Sequence, residues 1–153
     1  MVFNADGSML ASSNSAGVID VWDLKSGTLT LVGSIRKETV YSLAFNPSGT
    51  QLAVGTSGFV YLIDPKTVKE TARIPHAGKV NGVAYSADGS TLATASLKAI
   101  QFWAVTTIPK LDSANLVDAA CSRLTVNFSE SQWSSFFSDE EFRVLCKDLP
   151  VPK

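Results

Sequence analysis

The sequence predicts an all-β fold of repeated antiparallel sheets, too few to close a ring, followed by a short α-helical C-terminal tail. Two observations carry this expectation. One phrase is written three times, as Phe3-Asn-Ala-Asp-Gly-Ser-Met-Leu-Ala, Phe45-Asn-Pro-Ser-Gly-Thr-Gln-Leu-Ala and Tyr85-Ser-Ala-Asp-Gly-Ser-Thr-Leu-Ala. Its glycines Gly7, Gly49 and Gly89 recur at separations of 42 and 40 residues, so one supersecondary unit is repeated. All ten glycines lie at or before Gly89, which sets residues 106–153 apart in kind from residues 1–105.

Each unit opens on an alternating segment, Val40 to Phe45 and Val80 to Tyr85, whose β-branched and aromatic residues at every second position suit a half-buried strand. The first unit retains only Met1-Val-Phe3 of this segment. Asp or Ser before Gly7, Gly49 and Gly89 then predicts a hairpin turn. A third strand follows at Val18 to Asp23, Phe59 to Asp64 and Ala99 to Ala104, where Trp22, Ile63 and Trp103 hold register at spacings of 41 and 40. Breaks at Lys25-Ser-Gly27 and Asp64-Pro-Lys66 introduce a fourth, Leu29 to Ile35 and Val68 to Ile74. Four short strands per roughly 40 to 45 residues describe β-propeller blades, here counted as about three, four and three strands, or about 2.5 blades.

On these residues the segment 1–105 resembles the WD-repeat propeller family. Val21-Trp22-Asp23 matches the Trp-Asp dipeptide that ends the third strand, while Leu62-Ile63-Asp64 and Phe102-Trp103-Ala104 are degenerate versions of it. The family's Gly-His pair corresponds to Pro75-His76, and to Arg36 in the preceding unit. The resemblance implies structural roles for Gly7, Trp22, Asp23, Gly49, Asp64, His76, Gly89 and Trp103. It also implies a hydrogen-bond network from that histidine through a Ser or Thr to the tryptophan, completed by an Asp in the turn before the third strand. That Asp position reads Ala16, Ser57 and Leu97, so the network is expected to be incomplete in every unit.

Propellers have about 4 to 8 four-stranded blades, so this count leaves open edges and uncovered blade faces. The expectation is that remaining blades come from a parent chain or from another copy, and that Met1, falling in mid-strand, marks an internal cut or a truncated reading frame. At 153 residues, with 45% hydrophobic and 18% charged residues, there is apolar matter for a core. A net charge of −1 and the absence of a Lys/Arg run argue against nucleic acid as a partner. No signal-peptide pattern and no stretch of membrane-spanning length occur, which predicts a cytoplasmic chain without a membrane partner.

In the tail, Leu116, Val117, Ala120, Cys121 and Leu124 share one helical stripe. Two capping boxes with hydrophobic staples follow, Ser129 with Gln132 between Phe128 and Trp133, and Ser138 with Glu141 between Phe137 and Phe142. Residues 116–152 resemble a C-terminal segment of large bacterial multidomain WD-repeat proteins, through Ala120-Cys121, Asn127, Trp133, Phe136-Phe137, Phe142-Arg143, Cys146 and Leu149-Pro-Val-Pro152.

One histidine and two cysteines cannot make a four-ligand zinc site without unusually placed carboxylates, and no cofactor motif is present; Gly55-Thr-Ser-Gly58 reads as a strand-to-strand turn. Cys121 and Cys146 are expected as reduced, buried thiols. No nucleophile and orienter accompany His76, so no enzyme is expected. The remaining function is a protein-protein interaction scaffold that binds a protein or peptide, as docking or sensing module of a larger bacterial protein. Its candidate partner-facing residues are Arg36, Lys37, Glu38, Ser57, His76, Lys79 and Lys98. The alternatives are a fragment that completes a propeller by self-assembly, or a propeller-based enzyme or ligand site.

Overall fold

Three antiparallel sheets, each the product of one repeat, follow one another along the chain in a computed structural model that describes residues 1–25 and 27–108. Blade 1 has the order β1 (Val2–Phe3), β2 (Met9–Ser13), β3 (Val18–Asp23) and β4 (Thr30–Arg36). Blade 2 repeats it with β5 (Ser42–Phe45), β6 (Leu52–Gly55), β7 (Phe59–Asp64) and β8 (Lys69–Pro75). Blade 3 has β9 (Gly82–Tyr85), β10 (Thr91–Ala95) and β11 (Ile100–Ala104), followed by a 3-10 turn at Val105–Thr107. Blade 1 thus has four strands rather than three, because Val2 and Phe3 still pair with Ala11 and Leu10. The expected helices and the two cysteines lie outside the described residues.

The repeated phrase folds as one turn made three times. Gly7, Gly49 and Gly89 all have φ near +70°, and each donates its N–H to the carbonyl three residues back, at Asn4, Asn46 and Ser86. The side chain of that first residue closes the turn from inside. Asn4 Oδ1 accepts from the Met9 N–H at 2.9 Å, Asn46 Oδ1 from Thr50 and Gln51 N–H at 2.9 Å, and Ser86 Oγ from Thr91 N–H at 2.9 Å. Asp23 and Asp64 act alike at the β3–β4 and β7–β8 turns, accepting from the Lys25 and Lys66 N–H groups at 2.8 Å. Short polar side chains that bond backbone two to five residues on are what such turns require.

Sheet pairing also repeats in its irregularity. The β3–β4 ladder shifts register between Val21 and Trp22, and the β7–β8 ladder between Leu62 and Ile63, leaving Val32 and Thr71 as the extra residues. A bulge increases local twist, which lets the outer strand turn with its blade.

Side-chain alternation decides how blades stack. Met9, Ala11, Ile19 and Val21 from blade 1 meet Leu52, Val54, Tyr61, Ile63 and Val68 from blade 2 in one buried cluster. The other side of blade 2 presents Ala53, Val60, Leu62, Ala72 and Ile74 to Val80, Leu92 and Ile108 in a second. Blade 2 is therefore covered on both faces, and Leu52–Val54 and Val60–Ile63 are continuous apolar runs instead of alternating ones. Val68 packs into the first cluster with φ +54°, a conformation costly for a β-branched residue. Its Cγ2 would lie 3.1 Å from a Cβ on Gly33, so the glycine leaves room for it.

Gly7 and Gly17 separate backbone strain from contact. Both have positive φ, +71° and +77°, but a Cβ on Gly7 meets nothing within 4 Å while one on Gly17 would stand 2.2 Å from the Lys37 carbonyl oxygen. Gly7→Ala is expected to cost about 1 kcal/mol of unfolding free energy from conformation alone, and Gly17→Ala at least about 2 kcal/mol more, because backbone must shift. Urea denaturation checks this; equal losses at the two sites would refute the contact.

Candidate functional site

Strict antiparallel order sends alternate connections to opposite ends of the stack. The turns β2–β3, β6–β7 and β10–β11 and the interblade loops β4–β5 and β8–β9 consequently share one end. All seven sequence-selected candidates lie there: Arg36 at the end of β4, Lys37 and Glu38 in the β4–β5 connection, Ser57 in β6–β7, His76 and Lys79 in β8–β9, and Lys98 in β10–β11. Backbone hydrogen bonds lace these loops together. Lys37 N–H donates to Gly17 at 3.0 Å, His76 N–H to Gly58 at 2.8 Å, and Val80 N–H to Thr56 at 2.9 Å.

Their side chains divide into two groups. Arg36, Ser57, Lys79 and Lys98 are exposed, and none of these three cations joins an ion pair among the described residues. Lys79 Nζ stands 5.3 Å from the Tyr41 ring centroid, a cation–π distance.

Lys37 and Glu38 instead belong to a polar cluster at the blade 1–blade 2 junction that the sequence did not announce. Lys37 pairs with Glu70 and lies 4.3 Å from the Tyr61 ring centroid. Arg73 Nε donates to the other Glu70 oxygen at 2.6 Å, and its guanidinium stands 5.7 Å from the same ring. The Tyr61 hydroxyl donates to Glu38 Oε1 at 2.9 Å. Burial, and secondarily that bond to Glu38, pushes the Tyr61 phenol up to about 12. For Glu38 burial opposes ionisation, but its backbone N–H and the Tyr61 and Thr56 hydroxyls outweigh it and hold the carboxyl below its ordinary 4.5. The only sequence signal for this cluster is a tyrosine inside an apolar strand run, since partners 23 and 33 residues apart are set by blade stacking.

His76, a candidate partner-facing residue, is instead buried, and neither ring nitrogen has a hydrogen-bond partner among the described residues. The position expected to orient it carries Leu97, an exposed apolar side chain. The tryptophan half of the network does form: Trp103 Nε1–H donates to Thr94 Oγ1 at 3.0 Å and Trp22 Nε1–H to Ser12 Oγ at 3.1 Å. Trp103 packs toward blade 2. Trp22 occupies the equivalent position on the face of blade 1 turned away from blade 2, where no described blade meets it.

A cleft of about 440 Å³ opens elsewhere, between Asn46, Gln51, Asp64, Thr71, Thr106 and Ile108, and among the described residues Asp64 is its one ionisable lining residue. Among the described residues no group of three or more His, Cys, Asp or Glu is placed to hold a metal ion. None of their helices is long and apolar enough to cross a membrane.

Two measurements test these placements. His76→Phe should leave the melting temperature unchanged or raise it, because it removes two unpaired buried polar atoms; a loss of several degrees would show that the imidazole is bonded. Glu38, with its lowered folded pKa, stabilises above the ordinary carboxylate range and loses that contribution as pH falls through the folded value; Tyr61 loses its own as pH rises from 10 toward 12. Tyr61→Phe should flatten stability at both extremes, and unchanged acid and alkaline limbs would refute the pairing.

Comparison with known proteins bears on this arrangement. Residues 27–64 and 69–104 match the WD domain, G-beta repeat family. The chain is 33% identical over 99 residues to WD repeat-containing protein SL1-17 of Schistosoma mansoni, covering 63% of this chain and 33% of that protein. It is 38% identical over 86 residues to pre-mRNA-processing factor 19 of Oryza sativa subsp. japonica, covering 54% and 16%. The chain therefore spans no more than 33% of the length of these relatives. Among solved structures it is similar to RRP9 WD40 repeats (TM-score 0.64, 19% identity) and to the β-propeller domain of Myceliophteria thermophila Cps50 (Swd1) (TM-score 0.61, 22% identity), each match covering 72% of this chain and 36% of the other. Residues 27–64 and 69–104 are thus similar in sequence to WD repeats, and their fold is that of β-propeller blades.

Proposed function

We infer that this chain is a non-enzymatic interaction scaffold that holds a protein or peptide against the loop end of its blades. WD repeats serve in general as protein-binding platforms, and rigid sheets with functional loops are suited to that task. The observation that carries the reading is the convergence of Arg36, Lys79 and Lys98, exposed and outside any ion pair among the described residues, on the end where the interblade loops gather. Tyr41, exposed beside Lys79, adds an aromatic contact surface. The partner segment is acidic under this reading, since three unneutralised cations favour carboxylates or phosphates on a peptide.

Lys37 and Glu38 contribute by fixing the loop rather than by touching the partner, and the buried His76 supports it from beneath. The finer reading, a docking or sensing module of a larger cytoplasmic bacterial protein, rests on the likeness carried by residues 116–152 and forms part of the proposal.

The charge assignment is tested on a peptide array. Acidic peptides should be retained at low salt and released as salt rises, and Arg36→Glu/Lys79→Glu/Lys98→Glu should weaken retention by roughly tenfold or more with unchanged circular dichroism. Retention of neutral peptides by both forms alike would overturn it.

A further inference from the structure

The β4–β5 connection is held at its two ends and open between them. The Lys37 N–H donates to the Gly17 carbonyl at 3.0 Å and the Tyr41 N–H to the Gly55 carbonyl at 2.9 Å, whereas no N–H of Glu38, Thr39 or Val40 donates to a backbone carbonyl among the described residues. Lys37 turns inward to Glu70 and Tyr61, and Val40 packs against the core shared by blades 1 and 2. Arg36, Glu38, Thr39 and Tyr41 are exposed. At other turns the hydroxyls are engaged: Thr50 accepts from Asn46, Ser90 donates to Asp88 and Thr107 to the Ala104 carbonyl. The Thr39 hydroxyl has no hydrogen bond among the described residues.

The residues before Thr39 set it apart from every other hydroxyl in the chain. Arg36 is the only arginine that stands three residues ahead of a Ser or Thr, since Arg73, Arg123 and Arg143 precede His76, Val126 and Cys146 at that spacing. Arg36-Lys37 is also the only pair of adjacent basic residues. A guanidinium so placed is the feature by which arginine-directed protein kinases, with carboxylates beside their catalytic cleft, select an acceptor hydroxyl. Arg36 is free for that contact because it joins no ion pair among the described residues. Glu38, which intervenes, has its carboxylate engaged by the Tyr61 hydroxyl.

We propose that Thr39 is a phosphorylation site for an arginine-directed Ser/Thr protein kinase, and that its phosphate switches off docking at the loop end. The second half rests on the reading that Arg36, Lys79 and Lys98 hold an acidic partner. In the step, the Thr39 hydroxyl oxygen bonds to the γ-phosphorus of a nucleoside triphosphate, the bond from that phosphorus to the bridging oxygen breaks, and a nucleoside diphosphate leaves. The hydroxyl proton passes to a base of the kinase. The product adds a charge of about −2 at neutral pH. Arg36 lies three residues before it, at most about 11 Å along an extended chain, where screening at physiological salt is incomplete. Tyr41, two residues after it, carries Lys79 at 5.3 Å from its ring centroid. The new charge therefore stands between two of the three cations. The blades keep their fold, because the Thr39 side chain supports none of the contacts that anchor the loop.

The full chain treated with ATP and the catalytic subunit of cyclic-AMP-dependent protein kinase tests both halves, with phosphate mapped by peptide mass spectrometry. One phosphate should appear, on Thr39. Thr39→Ala should abolish it, and Arg36→Ala should slow it by about tenfold or more through a raised KM. On immobilised poly-glutamate at low salt, the phosphorylated chain should be retained at least about fivefold less than the unmodified chain, with unchanged circular dichroism. Thr39→Ala should be retained equally with and without kinase treatment. Phosphate absent from Thr39, or placed there at the same rate without Arg36, overturns the site, and phosphate on Thr39 with unchanged retention overturns the switch. An unmodified chain that poly-glutamate does not retain overturns the docking reading and the switch with it, whereas a retained chain that takes no phosphate on Thr39 overturns this proposal alone.

Discussion

Covering both faces of a twisted four-stranded sheet is the constraint on which the rest of this structure depends. A sheet of this size has no interior of its own, and its apolar side chains leave water only when another sheet lies against them. Blade 2 meets that condition on both sides, through Leu52, Val54 and Ile63 toward one neighbour and Ala53, Val60 and Leu62 toward the other. Among the described residues, blades 1 and 3 meet it on one side each. The repeated turns, the bulges at equivalent positions and the hydrophobic pattern all serve this stacking. Stability in such an array resides as much between units as within them.

The polar features follow from the same geometry. Lys37, Glu38, Tyr61, Glu70 and Arg73 meet because stacking brings the β4–β5 loop over strands β7 and β8. Tyr85 reaches back to Gln51 across the next junction, its hydroxyl donating at 2.8 Å, and burial pushes its phenol upward. Each junction thus combines an apolar seam with a hydrogen bond from a tyrosine, and the seam excludes the water that would compete for that bond.

Strand positions were legible because period-two alternation and turn glycines are local. β3 and β7 begin and end where alternation and the Asp23 and Asp64 stops placed them. The seven candidate residues were gathered at one end by topology, which follows from strand order alone. Pairings across blades were hidden, since nothing near Lys37 in sequence indicates Glu70. The state of His76 was hidden for the same reason: its family position implies bonds that depend on neighbours, and the residue at the orienting position, Leu97, cannot accept one. The two-residue β1 escaped the count because so short a segment has no period, yet Val2 and Phe3 pair normally once β2 is there to receive them.

The Lys37 contact has a geometric meaning beyond its electrostatics. Its backbone is tied to the β2–β3 turn of blade 1 through Gly17, while its ammonium reaches Glu70 and Tyr61 of blade 2, so one residue links successive sheets. Lys37 thus joins the two sheets at a point outside their apolar seam, through its backbone on one side and its side chain on the other.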